Sequence, residues 1–262
     1  MSEAIGQSGG VVQRRPLRVG EILSAAFRLY QRHWQRLLPI AAVVVVPLTL
    51  LQYLLGYQVR GAGQTSEASS WRMGVGGLVT GVAVLLMYLV LTGAITRAVA
   101  AEVAGQDPSL EQSYRFGFNR LGAVLLVSLL VGLATAAGLI LLVIPGIYVG
   151  IRLSVSTQAL VVEGRRPTEA TARSWALVHG HWWHAFGTLV VAGLLTFVVN
   201  ALITTPFDAA NWFGQAVASA VATVITLPFS TLVGVLLYLD LRARKETLTL
   251  DALRADLQAS AV

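Results

Sequence analysis

Between Gly138 and Trp183 the chain runs apolar, breaks at Ile144-Pro145-Gly146, and returns through a second apolar run. The return carries one charge, Arg152, and ends at Glu163; an amphipathic stretch then leads to Trp182-Trp183. A helix that crosses a bilayer needs about 20 apolar residues, and only internally hydrogen-bonded segments survive there. The feature therefore points to helices packed in lipid. Composition agrees, with 55% hydrophobic and only 12% charged residues and a mean hydropathy of +0.69. A soluble domain carries about 25% charged residues to coat its surface.

The formal charge is +6. Because the basic residues fall between apolar runs, they read as loop anchors on the cytoplasmic side, and no nucleic-acid partner is expected. Cysteine is absent, which removes disulfides, thiolate chemistry and Cys-based metal sites. No cofactor is expected.

Taken in order, residues 1–18 read as a disordered cytoplasmic N-terminus with no cleavable signal peptide. Residues 19–246 form the membrane domain, and residues 247–262 form a short cytoplasmic helix and tail marked by Leu250, Leu253 and Leu257. Leu23, Phe27, Tyr30 and Trp34 recur at helical spacing and predict an amphipathic helix on the membrane surface. Six spans follow: 37–57, 74–95, 121–144, 147–162, 184–205 and 215–239. Further amphipathic juxtamembrane helices precede the third span and follow Arg165-Arg166-Pro167, and Pro145-Gly146 is read as a tight outer turn. With both termini cytoplasmic, the outer loops hold only Arg60 and Arg72, Arg152 is intramembrane, and every other Lys and Arg falls inside. That bias predicts a multi-pass protein of the cell membrane with cytoplasmic N- and C-termini. The fold class is all-α and polytopic.

Each third of the domain has a surface helix, a span, a turn and a returning span. The returning spans begin with Gly77-x-x-x-Gly81, Gly146-x-x-x-Gly150 and Ala218-x-x-x-Ala222. Small residues at that spacing let helix backbones approach closely in lipid. This predicts a threefold internal repeat with the second, fourth and sixth spans at its centre.

Few residues suggest chemistry. Arg152 is expected about 9 Å inside the outer end of the fourth span at 1.5 Å per residue. It reads either as a site for an anionic group such as a lipid phosphate, or as an Arg snorkelling to the outer headgroups. His179, His181 and His184 lack acidic or thiol companions. With Trp34, Trp175, Trp182 and Trp183 they are expected as interfacial anchors and not as metal ligands. Glu102, Glu163 and Asp240 end the returning spans beside Arg or Lys and are expected to form interfacial ion pairs. No catalytic signature such as G-x-S-x-G, H-E-x-x-H or a phosphate-binding loop is present.

Five stretches also carry a resemblance: Arg-Pro-Leu-Arg-Val-Gly-Glu-Ile-Leu with Ala-Ala-Phe-Arg-Leu-Tyr (15–30), Ile-Pro-Gly-Ile-Tyr-Val-Gly-Ile-Arg-Leu-Ser (144–154), Glu163, Ser-Trp-Ala-Leu-Val (174–178) and Tyr-Leu-Asp-Leu-Arg-Ala-Arg-Lys-Glu (238–246). Together they resemble the membrane-domain family of glycerophosphoryl diester phosphodiesterases and related stand-alone bacterial membrane proteins. In some members of that family a soluble barrel carries the catalysis. A barrel of ~250 residues has no room beside these apolar segments, so the resemblance implies a membrane fold and no activity. The expected function is a non-enzymatic membrane protein that organises lipid or a protein partner at the cytoplasmic face. A small transporter or channel with Arg152 in its path is the alternative.

Overall fold

A computed structural model describes residues 17–62, 89, 92–101, 115, 119–246 and 250–259. Every regular element among the described residues is helical. We label them α1 (Val19–Ala62), α2 (Leu121–Leu141), α3 (Val143–Arg152), α4 (Ser156–Glu163), α5 (Pro167–Val178), α6 (Trp182–Thr204), α7 (Trp212–Lys245) and α8 (Leu250–Ala259). Residues 92–101 form a further helical segment. Among the described residues, four stretches are long and apolar enough to cross a membrane: Leu37–Leu54 within α1, Leu121–Leu141, Trp182–Phe207 and Trp212–Lys245. The second expected span lies mostly outside the described residues, and the fourth is not one helix.

The expected surface helix and first span are one continuous helix of 44 residues, about 66 Å long at 1.5 Å per residue. Its start is fixed where the Arg18 N–H donates to the Glu21 carboxylate (2.8 Å). Pro39 and Pro47 lie inside it without ending it, as prolines in membrane helices commonly do. It runs on without a break alongside α7, which offers a 34-residue partner. Ile22 and Ala26 are buried, while Phe27 and Trp34 stay exposed, so the apolar stripe read from the sequence divides between two faces. The pair is antiparallel. Leu17 meets Asp240 at one end (2.8 Å), and further along the Tyr30 hydroxyl donates to the Ile225 carbonyl (3.1 Å).

Helix α7 is the centre of the fold. From Leu227 to Leu241 every residue except Ser230 is buried. Of the Leu121–Leu141 and Trp182–Phe207 windows only 11% is buried, against 67% for Trp212–Lys245, so α2 and α6 turn most of their apolar surface outward. The segment 92–101 buries Ala94, Ile95, Ala98 and Val99, and α4 buries Ala159, Leu160, Val161 and Val162. Asn211 caps α7 by accepting from the Gly214 N–H (2.9 Å). Arg242, Arg244 and Lys245 stand in its last turn, where the helix dipole favours cations. Helix α8 docks with Leu253 and Leu257 buried and is held by Arg242 on Asp256 (2.6 Å).

The chain reverses at Leu142, which is extended (φ −167°, ψ 147°), and not at Pro145-Gly146. Pro145 falls instead in the first turn of α3, where a missing N–H is harmless. The Gly146/Gly150 spacing is used within this hairpin. A Cβ on Gly138 would stand 2.8 Å from Gly146 Cα, and one on Gly150 would stand 3.3 Å from Thr135.

The return breaks at residues 153–155, between α3 and α4. Ser154 and Ser156 turn their hydroxyls onto the Ile151 and Leu153 carbonyls (2.8 and 2.7 Å). Such local bonds compete with the helical ladder. Gly164 then ends α4 in the left-handed conformation (φ 64°), the usual stop for a helix.

Candidate functional site

The break is filled from outside by α5. The Ser174 hydroxyl donates to the Arg152 carbonyl (2.9 Å) and accepts from the Val155 N–H (3.2 Å). Backbone polar groups freed by the interruption thus find partners. This draws α5 inward. Ala170, Ser174, Leu177 and Val178 are buried, so the third amphipathic helix is a structural layer as well as a surface one.

Arg152 ends α3 and is 6% exposed. Its guanidinium donates through Nη1 to the Trp175 carbonyl (2.9 Å). Its Cζ lies 4.4 Å from the Trp175 ring centroid and 5.3 Å from that of Tyr148. The Nε is buried with no hydrogen-bond partner. Among the described residues no carboxylate lies within ion-pair distance of it. The ring faces and the carbonyl end of α3 supply part of the missing negative potential. The side chain is folded in and does not extend to the protein surface. It lies against α5, whose Arg173 and Ala176 bond to Glu246 and Lys245 at the charged end of α7.

An aromatic group surrounds this corner. Tyr148 stacks on Trp182 (5.8 Å) and meets Trp175 edge-on (6.2 Å). Trp182 donates its indole N–H to the Tyr148 carbonyl (3.3 Å) and stacks on Phe186 (5.0 Å). Trp183 is 77% exposed. Aromatic rings with polar edges favour the membrane interface. Trp34 is distant in the fold, exposed on α1 beside Leu38, Pro39 and Val43.

Two acidic residues organise the charged end from opposite sides of α7. Glu163 closes α4 and accepts from the Tyr238 hydroxyl, from Arg165 and from Arg173 (3.0 Å). Arg173 continues to Glu246 (2.6 Å), and Glu246 to Arg242 (3.2 Å). Burial alone would raise the Glu163 pKa. The Tyr238, Arg165 and Arg173 donors outweigh it and hold the carboxyl below the usual carboxylate value. Glu246 is lowered too, chiefly by its hydrogen bond from Arg173. Arg173 is raised by the same contacts.

Asp240 makes the second cluster. His184 Nε2 stands 3.0 Å from it and Arg244 Nε 2.7 Å. It also accepts from the Leu17 N–H, whose carbonyl takes a bond from Arg244 (2.7 Å). Leu17, where the described chain begins, is thereby tied to α7. His184 turns inward to this cluster, away from exposed His179, so the three histidines do not act as one group. Among the described residues no three His, Asp or Glu side chains could hold a metal together. Glu102, Gly77 and Gly81 lie outside the described residues.

Sequence reasoning missed Ser174, Tyr238, Arg173 and Arg244. The available signal was Ser154-Val155-Ser156, two helix-competing serines in an apolar run, which marks a break needing a partner. Residues 116–241 match a family model described as a domain of unknown function (DUF7847). The chain matches no curated protein and no solved structure.

Proposed function

We propose that this chain is a non-enzymatic multi-pass protein of the cell membrane that holds anionic phospholipid headgroups at its charged, cytoplasmic end, organising lipid there for a separate partner. One observation carries the reading: Arg152 is a buried cation with an unpartnered Nε and no carboxylate beside it among the described residues. An intramembrane charge without a counter-charge is costly and marks a functional position. A phosphate supplies what is missing, and exposed Trp183 with half-exposed Tyr148 and Trp175 mark the headgroup level. The resemblance to the membrane domain of glycerophosphoryl diester phosphodiesterases favours a phosphodiester-bearing lipid.

Six apolar segments in three pairs, with both termini cytoplasmic, complete the proposal. The burial of 92–101, α4 and Leu227–Leu241 supports a threefold repeat whose returning segments meet at the centre. Superposing the three pairs is the test, and pairs that do not superpose would end the idea.

The lipid reading is tested by adding phosphatidylglycerol to purified protein in nanodiscs of phosphatidylcholine and following Trp emission. Wild type should saturate, and Arg152→Gln should weaken the response tenfold or more. An unchanged response would remove the site. The break at Arg152 favours a second reading, transport, since discontinuous helices line transporter sites. Cysteine labelling along residues 147–162 decides it, because uniform protection excludes a water path.

A further inference from the structure

We infer that α2 and α3 form a re-entrant hairpin, which enters the leaflet at the charged end and returns to the same side without crossing. The inference rests on the reading that α6 and α7 span the membrane. It begins with levels. The charged end of α7 is marked by Asp240 to Lys245. His184 on Asp240 (3.0 Å) places the first turn of α6 at that level. Arg173 on Glu246 (2.6 Å) and Lys245 on the Ala176 carbonyl place α5 there as well.

Helix α3 is held to those two elements. The Tyr148 carbonyl accepts from Trp182 (3.3 Å), and Arg152 lies on Trp175. The hairpin apex, Leu142, is six residues before Tyr148, or about 9 Å at 1.5 Å per residue. The Trp182–Phe207 stretch is 26 residues long, about 39 Å, and the hydrocarbon core it must cross is about 30 Å. Whichever way α3 points, 9 Å does not carry Leu142 to the far side. The length and apolarity of α2 admit a crossing; its connection to Tyr148 does not.

The apex is nevertheless built for lipid. Ile140 is 85% and Ile144 81% exposed, with Leu141, Leu142 and Val143 exposed between them. No charged residue occurs from Leu121 to Ile151. An apolar tip of this kind is unfavourable in water and is continuous with the outward apolar face of α6. Its backbone is also fit for hydrocarbon, where unpaired groups are costly. Although Leu142 is extended, its N–H donates to the Gly138 carbonyl (3.0 Å), and its carbonyl accepts from the Gly146 N–H (3.2 Å). The occupant of this surface is the acyl region of a single leaflet, with Tyr148, Trp182 and Trp183 at the headgroup boundary. Arg152 then lies on the same side as the charged end.

The chain's lack of cysteine allows a clean test in oriented vesicles with a membrane-impermeant maleimide. Ala259→Cys reports the charged end, Ala210→Cys the α6–α7 connection, and Ile144→Cys the apex. The first two should label from opposite faces. Ile144→Cys should be refractory from the Ala210 face, and an NBD group on it should be quenched by lipids brominated near the headgroup. Labelling of Ile144→Cys from the Ala210 face, or a water-like NBD spectrum, would overturn the hairpin. Labelling of Ala259→Cys and Ala210→Cys from one face would overturn the spanning reading and the hairpin with it.

Discussion

The Ser174 hydroxyl donates to the Arg152 carbonyl at 2.9 Å while accepting from Val155 on the other side of the helix break. One side chain of α5 thus closes an interruption in a different segment. Ser174→Ala keeps the volume nearly constant and leaves two buried backbone groups unmet, at about 1–3 kcal/mol. Unfolding followed by Trp fluorescence should show a lowered midpoint. An unchanged midpoint would mean that the break needs no stitch.

Glu163 joins α4, α5 and α7, and its loss should be felt in all three. Glu163→Gln keeps the shape and removes the charge that faces Arg165 and Arg173. We expect destabilisation on the order of 2 kcal/mol, because two cations lose their partner.

The same carboxyl sets an acid limit. Its folded pKa lies below the ordinary value of 4.5, as does that of Glu246. A depressed carboxyl contributes stability that is fully present above the unfolded pKa and is lost as pH falls through the folded one. Wild-type stability should therefore decline below about pH 4.5. In Glu163→Gln the decline should be shallower. Equal slopes in the two proteins would remove Glu163 as the cause.

Asp240 holds the start of the described chain. Asp240→Asn weakens the Leu17 bond and leaves Arg244 and His184 without their counter-charge. Trypsin should then cleave after Arg18 several-fold faster than in wild type, with the bundle otherwise intact. Equal cleavage rates would show that Leu17 is held by other means.

The hairpin seam is sensitive to a single Cβ. One added at Gly146 meets the Leu139 side chain and backbone, whereas at Gly193 it meets nothing within 4 Å. Gly146→Val should lower stability by about 1–3 kcal/mol through overpacking. Gly193→Ala should be neutral or gain up to about 1 kcal/mol. Comparable midpoints for the two would argue that the seam opens freely.

The class of the fold was readable because apolar runs admit few backbones in lipid. Trp182–Thr204 and the core of α7 were read within a few residues for that reason. The continuity of α1 was not readable: the Leu23, Phe27, Tyr30 and Trp34 spacing suggests a separate surface helix, and it is the long antiparallel contact with α7 that keeps the two parts in line. The break after Arg152 was hidden by hydropathy, which scores Ile147–Val162 as one run and passes over two serines. At the charged end, Glu163 and Asp240 were visible as acids beside bases. Their partners Tyr238, Arg173 and Leu17 come from segments 75, 10 and 223 residues away, and single-sequence periodicity does not reach that far.

The central position of α7 has a temporal consequence. Chains are made N-terminus first at about 5–20 residues per second. The 223 residues between Leu17 and Asp240 therefore impose a delay of roughly 10–45 s. Throughout that interval the face of α1 that will pack on α7 has no partner, and something else must cover it. The protein assembles around its last long helix, so its core closes only when synthesis is almost over.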